Sequence, residues 1–363
     1  MYIGNQLDMN ILILLPNIED NLFQPQEIID RQDIYSKAVI QNSYGQKTRL
    51  MVFYSGCSQK LTSKVIDLLC LAKRPTSVLT FSMRALWNIR NSRFTPDSIV
   101  AGTPFQPLLI ALILKLVHSK AKIHTSIHGD LLSLTEPGIK NRIKLLFLRL
   151  SLRRCESIRF VSDSQKKAAR QLINFSDQHL FTTPVPISNK KTNVFSRDGE
   201  SIAFVGRIQF ERGIHEWIEI AGQFDHKLLL VIGDGPLKSE IQSKLPGALF
   251  MGSLSQAEVQ GQWSRIGVLL SSAPFESYGL SMREALLHGV PVVSRKNMGS
   301  MELQDRYPEL IRLYETKNEA INHIRFFLSN PLSAKSFHRF QKEFFANQDA
   351  SLNKLAVAWT NAF

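Results

Sequence analysis

Glu276 and Glu284 stand on either side of the turn Ser277-Tyr278-Gly279-Leu280, in the stretch APFESYGLSMREALLHGVPVVS. The apolar spacing predicts a helix over Leu280–His288, so one carboxylate precedes the helix and the other lies inside it. The start of such a helix offers free backbone N–H groups and the positive end of a dipole, and both favour phosphate. Glycine at 279 lets an anion come close to the backbone. Arg207 and Arg212 add two cations after the strand predicted at Ser201–Val205, each able to give charge-assisted hydrogen bonds of roughly 1.5–3 kcal/mol. Glu284 can accept hydrogen bonds from a ribose diol, and Glu276 can reach a group attached to the diphosphate. The set describes a site for a nucleoside diphosphate carrying a polyol. Two glutamates at this spacing are by themselves an ordinary surface feature; the neighbouring residues give them meaning.

Such a site needs strands that end together. The second half supplies an alternation of short apolar strands (Ser201–Val205, Lys227–Ile232, Ala248–Met251, Gly267–Ser271, Val290–Ser294) with helices (Ile214–Phe224, Leu237–Lys244, Leu280–His288). Ser255 and Glu258 form the S-x-x-E pattern of a capping box. This order predicts a parallel sheet covered on both faces, with ligands at the carboxyl ends of its strands. Gly206, Gly233, Gly235 and Gly252 all fall at those ends, where strand-to-helix turns need glycine whether or not a nucleotide binds. The first half alternates less regularly. Strands are expected at Ile11–Leu15, Leu50–Tyr54, Ser77–Phe81, Ser98–Ala101, Lys122–Ile127 and Ser157–Val161. Helices are expected at Leu61–Ala72, Pro107–His118, Ile139–Arg154 and Ser164–Asn174. The segment near Thr182–Gly199, with Pro184 and Pro186 and no periodicity, reads as a joint. Beyond residue 318 the pattern is helical.

The chain of 363 residues, 44% hydrophobic and 21% charged, suits two folded domains. No run of eighteen apolar residues or signal-peptide pattern is found, and the odd set Cys57, Cys70 and Cys155 has no metal-ligand spacing, so reduced thiols in a cytoplasm are expected. The net charge of +13 lies entirely in residues 1–195, with 26 Lys and Arg against 13 Asp and Glu. That asymmetry points to a polyanionic partner. The basic half contains no recognised nucleic-acid module, and nucleic acid is not expected as a partner. The helix expected at Ile139–Arg154 places Ile143, Leu146, Phe147 and Leu150 on one face flanked by Lys140, Arg142, Lys144, Arg149, Arg153 and Arg154. It reads as a helix packed on the sheet with its edges in water, or else as one lying in a membrane interface. No D-x-D pair, Walker sequence, zinc spacing or G-x-S-x-G occurs, so neither a metal nor a separate cofactor is expected.

The pattern Glu276-x7-Glu284 followed by ALLHGVPVVS resembles the signature of the retaining glycosyltransferases of family 4, which have the GT-B fold. FVGRIQFERGI (204–214), VIGDGPLKSEI (231–241) and LFMGSLSQAEV (249–259) are similar to that family's other donor-side segments, in the same order. KIHTSIHGD (122–130) resembles the strand ending in the family's active-site histidine, here His128, and FVSDSQKKAARQL (160–172) its strand before the joint. The resemblance implies an α/β protein of two Rossmann-like domains facing across a cleft: an acceptor domain over 1–185, a linker over 186–200, a donor domain over 201–340 and a C-terminal helix over 341–363 crossing back. It implies that Arg207 and Arg212 hold the donor diphosphate, that Gly279 and Leu280 offer it amides within the Ser277–Leu280 turn, that Glu284 binds ribose and Glu276 the sugar, and that His128 faces the reacting sugar. The family has lysine where Arg212 stands, and a glycine pair where this chain has Pro16-Asn17-Ile18-Glu19-Asp20. The implied activity is transfer of a sugar from a nucleotide sugar to a glycan or lipid-linked acceptor, in cell-envelope assembly, in the cytoplasm or at the inner membrane face; the charge of the basic first domain, not the resemblance, adds an anionic membrane surface as an expected partner. A degenerate relative acting as a nucleotide-sugar-binding scaffold, or a nucleotide-sugar epimerase, fits the same residues.

Overall fold

The structure is a computed structural model and describes residues 9–15, 25–43, 48–55, 61–62, 66–72, 77–129, 131–175, 179–187 and 199–360. The chain divides into two units, residues 1–188 with 348–363, and residues 189–347.

In the first unit the strands are β1 (Met9–Leu15), β2 (Thr48–Ser55), β3 (Leu61–Thr62), β4 (Ile66–Ala72), β5 (Ser98–Ala101), β6 (Lys122–Ile127), β7 (Ser157–Phe160) and β8 (His179–Thr182). They lie in the order β3-β4-β2-β1-β5-β6-β7-β8, parallel except for the β3–β4 pair. The run MNILILL of β1 is apolar on both faces because both faces are covered, as a parallel sheet requires. One face carries α2 (Val78–Asn91), α3 (Gln106–Val117), α4 (Ile139–Ser151) and α5 (Asp163–Leu172), with Phe81, Ile110, Leu148 and Ala169 in a common core. The other carries α1 (Pro25–Gln41) and residues of α12 (Ala334–Thr360), where Tyr35 and Trp359 meet at 5.8 Å between ring centroids. Helix α12 joins this unit from Gln348 onward. Gln348 receives the Ile187 N–H at 2.8 Å and donates its amide to the Ile187 carbonyl at 3.0 Å. Leu352, Leu355, Ala356 and Trp359 then complete the core.

Four sequence expectations are corrected here. Residues 61–62 and 66–72 are strands, not parts of a helix: the leucines of IDLLCLA favour helix in isolation, yet pairing beside β2 buries Ile66 and Leu68 with period two. Residues 77–81 open a helix, not a strand. The Ser77 hydroxyl caps the Thr80 N–H at 3.2 Å, and Phe81, Ala85 and Ile89 bury at helical spacing. Cys70 is disulfide-bonded, whereas Cys155 is a buried free thiol. Helix α4 buries only Leu148 and Ser151; the face read as packed on the sheet, with Ile143, Leu146 and Leu150, is open. The Pro16–Asp20 loop and Asp130 lie outside the described residues.

In the second unit β9 (Ser201–Val205), β10 (Leu229–Ile232), β11 (Leu249–Gly252), β12 (Ile266–Ser271), β13 (Val292–Arg295) and β14 (Ile311–Tyr314) form a wholly parallel sheet in the order β11-β10-β9-β12-β13-β14. The intervening helices are α6 (Ile214–Ala221), α7 (Lys238–Lys244), α8 (Gln256–Gln262), α9 (Leu280–Leu287), α10 (Met298–Arg306) and α11 (Lys317–Ser329). Ser255 and Glu258 form the expected capping box. No helix among the described residues is long and apolar enough to cross a membrane.

Candidate active site

Strand β9 begins the second sheet, and its neighbours β10 and β12 carry the chain outward in opposite directions. That reversal opens a crevice outside the carboxyl ends of β9 and β12, the place where doubly wound sheets bind ligands. From β9 the chain passes Gly206 and Arg207 into a short turn over Phe210–Arg212 and then, through Gly213, into α6. From β12 it passes Ser272–Tyr278 into α9 at Gly279. Across the crevice Arg212 Nη1 meets Glu276 Oε2 at 2.5 Å, both side chains half-buried.

Backbone contacts hold this pair in place. Gly213 lies in the left-handed region at φ +67°, and a Cβ there would sit 2.1 Å from the Ser272 carbonyl oxygen. The Ser272 hydroxyl donates to the Arg212 carbonyl at 3.0 Å. The Glu276 loop is tied down by α10: Asn297 Nδ2 donates to the Ala273 carbonyl at 2.9 Å, and the Gly299 N–H to the Glu276 carbonyl at 2.7 Å. Arg283, almost fully buried in α9, lays its guanidinium over the Tyr278 ring at 3.6 Å, with Glu302 at 3.7 Å. No side chain caps the N-terminus of α9. Its first amides are therefore available to an anion.

Arg212, Ser272, Ala273 and Ser281 also line one small cavity of about 20 Å³, room for a water molecule but not for a nucleotide. The other strand ends are laced together. Gly206 N–H bonds to Ile232 O at 3.0 Å, and Gly233 N–H to Gly252 O at 2.8 Å. Gly233 itself leaves no room for a side chain, since a Cβ would lie 1.8 Å from the Gly206 carbonyl oxygen. Gly235 packs in the same way on Ile208. Gly233 and Gly235 thus have a packing reason that holds without any ligand. Ser277, Tyr278 and Gly279 are buried; Leu280 and Glu284 are half-buried, with Glu284 in the second turn of α9. His288 Nδ1 donates to the Glu284 carbonyl at 2.7 Å, and burial lowers the His288 pKa. Arg207 is exposed, and among the described residues no ion pair joins it to a carboxylate. In the first unit His128 follows β6. Burial, then the nearby Arg159 and Arg31, pull its pKa down to about 3 against a hydrogen bond to the Gly102 backbone, so the ring is neutral at physiological pH. Among the described residues no group of three His, Cys, Asp or Glu is placed to hold a metal ion.

Sequence reading brings Arg212, Glu276 and the Gly279 turn to one place, but misses Gly213, Ser272, Arg283, Asn297 and Gly299. Of these only the Asn297-x-x-Ser300 capping pattern carried a local signal.

The second unit is a doubly wound α/β domain with its candidate site at the switch point. Residues 199–330 match the family model described as glycosyl transferases group 1. Two curated relatives are GDP-mannose-dependent alpha-mannosyltransferases. The one from Corynebacterium glutamicum is 29% identical over 102 residues, 28% of this chain and 24% of the relative. The one from Mycolicibacterium smegmatis is 31% identical over 110 residues, 30% of this chain and 29% of the relative. The matched stretch thus spans about a quarter of the length of these relatives. Among solved structures, sucrose-phosphate synthase (tll1590) from Thermosynechococcus elongatus aligns with a TM-score of 0.74 at 15% identity, covering 98% of this chain and 97% of that one. Anabaena Alr3699/HepE in complex with UDP-glucose aligns with a TM-score of 0.70 at 15% identity, covering 98% and 100%. At such identity the likeness is one of fold, and the fold is GT-B.

Proposed function

We propose that this protein is a retaining glycosyltransferase of family 4 that moves a sugar from a nucleotide-sugar donor to a hydroxyl of a glycan or lipid-linked acceptor in cell-envelope assembly. The observation that carries this reading is the Arg212–Glu276 pair, set across the β9–β12 crevice beside an uncapped helix N-terminus. A cation, a carboxylate and free amides converge where a diphosphate joined to a sugar needs all three. The match of residues 199–330 to group 1 glycosyl transferases supports it, as do relatives whose names specify GDP-mannose and a fold neighbour bound to UDP-glucose.

In this mechanism the donor diphosphate takes over Arg212 with help from Arg207 and the α9 amides. Glu276, released from its ion pair, accepts hydrogen bonds from the sugar, and Glu284 from the ribose. The acceptor oxygen bonds to the anomeric carbon on the face that the diphosphate leaves. The anomeric C–O bond breaks with its electron pair on the departing phosphate oxygen, and that phosphate takes the acceptor proton. Arg207, Arg212 and the helix amides stabilise the charge that develops on the leaving group, without a protein nucleophile or a metal. The test is transfer from labelled UDP-glucose and GDP-mannose to glycan and lipid-linked acceptors, with the product anomer read by NMR and a parallel reaction in EDTA. Transfer by Arg212→Ala or Glu276→Ala at the wild-type rate would remove the assigned roles.

A further inference from the structure

Helices α2, α3 and α4 lie side by side on one face of the first sheet, with α3 packed against both of the others. Each sends one stripe into the common core, and each also shows large apolar side chains to solvent. On α4 these are Ile139, Ile143, Leu146 and Leu150, with Leu146 58% exposed. Steps of three and four residues keep them in one narrow stripe along the helix. On α2 they are Leu79, Met83 and Trp87, the tryptophan 65% exposed. At the end of α3 they are Leu116 and Val117, Leu116 at 84%. Large apolar side chains massed on neighbouring helices are more than the scattered exposure of a normal surface.

The charge carried by these helices has one sign. The sequences of α2, α3 and α4 hold no Asp or Glu. Arg142 and Lys140 flank the α4 stripe on opposite sides, and Arg153 and Arg154 follow its end. Among the described residues no ion pair joins these four to a carboxylate. Arg149 is different: it turns to the Leu172 carbonyl at 3.1 Å and belongs to the fold. Cations on long stems beside an apolar ridge are arranged to reach anionic headgroups while the ridge enters the acyl boundary.

We infer that the outer face of α2, α3 and α4 is a docking surface for an anionic lipid bilayer, held in the interface plane by the Ile143–Leu146–Leu150 ridge and the flanking arginines. The inference concerns a surface of the first unit and does not depend on the donor chemistry of the second. A second copy of this chain would also cover an apolar face, but it would bring the same cations against themselves, whereas an anionic surface neutralises them.

Trp87 is a native reporter, because Trp217, Trp263 and Trp359 are all buried. The full chain is mixed with vesicles of phosphatidylcholine, with or without phosphatidylglycerol, some carrying brominated acyl chains. The expected result is co-sedimentation with the phosphatidylglycerol vesicles, quenching of Trp87 by the brominated chains, and loss of both by about tenfold or more in Leu146→Glu. Replacing Arg142, Arg153 and Arg154 by Gln should remove the preference for phosphatidylglycerol. Circular dichroism of each variant checks that the fold is kept; all four positions are at the surface. No binding to phosphatidylglycerol vesicles at low ionic strength overturns the inference. So does binding undiminished in folded Leu146→Glu without quenching of Trp87, and so does a dimer in sedimentation velocity that Leu146→Glu dissociates while neither protein binds vesicles.

Discussion

The hydroxyl of Ser272 donates to the carbonyl of Arg212 at 3.0 Å, although the two residues belong to loops that leave different strands. The position of the Arg212 guanidinium is therefore set partly by β12 and not only by its own loop. Next to it, the close approach of Gly213 to the Ser272 carbonyl admits no side chain.

Gly213→Ala should destabilise the protein by about 2 kcal/mol or more, combining a left-handed backbone for alanine with a clash that only backbone movement relieves. Gly252→Ala is the control. Its φ is also left-handed at +69°, yet a Cβ there meets nothing within 4 Å, so the cost should be only about 1–2 kcal/mol. Thermal unfolding of the two variants compares them, and equal losses would show that the contact with Ser272 contributes nothing.

Arg212→Ala should weaken nucleotide-sugar binding by roughly ten- to a hundredfold, the value of one charge-assisted contact. Glu276→Gln should act differently on two ligands. With its competitor neutralised, Arg212 should bind a bare nucleoside diphosphate at least as well as in the wild type, while the nucleotide sugar binds less tightly. Calorimetry with UDP, GDP and their sugar derivatives reads this directly; parallel losses for both ligands would contradict the division of roles.

Arg283 supports the turn at Tyr278 from below, and its Nη1 has no hydrogen-bond partner in the interior. Arg283→Lys keeps the charge but loses the planar stack, at a cost of about 1 kcal/mol. Arg283→Met should cost less than Arg283→Ala, because it fills the space and removes the unpaired donor. Denaturant unfolding ranks the three variants. Equal stability of Met and Ala would mean that packing at this position is unimportant.

Acid should weaken the fold before its carboxylates begin to titrate. His124 is buried beside Ser157 at 2.7 Å, and its pKa is lowered to about 3 by burial, then by Lys122 and Lys115. Between pH 6.5 and 5 the unfolded chain takes up protons there and the folded chain does not. Stability is then full above pH 6.5 and falls as the pH drops, with a slope approaching about 1.4 kcal/mol per pH unit from His124 alone. His128, also lowered to about 3, adds in the same direction. Equilibrium unfolding across this interval gives the slope, and a flat profile would mean that these rings are not held neutral. For the same reason the pH–rate profile should contain no limb near 6.5 from His128.

The second unit was legible because its strands are short and apolar, glycine marks the ends of β9, β10 and β11, and helices of clear apolar spacing separate them. What could not be read locally is that Arg212 and Glu276, sixty-four residues apart, meet. Their meeting depends on β9 and β12 being sheet neighbours, a property of strand order that no periodicity encodes. In the first unit the leucine-rich run of β4 and the β-branched start of α2 each favoured the wrong element, and tertiary pairing for one and the Ser77 cap for the other decided the outcome. The exposed face of α4 was visible as a pattern, but amphipathic spacing does not say which stripe turns inward. Here Leu148 and Ser151 do, and the longer apolar ridge does not.

Gln348 clasps Ile187, and the residues after it fill the core laid down by α1 and the first strands. During synthesis, that core stays open while the whole second unit is made. Folding on the ribosome therefore cannot proceed strictly from the amino end: the first unit waits, with Tyr35 and Val39 uncovered, for the arrival of Leu355 and Trp359, and chaperones have their longest opportunity at that surface.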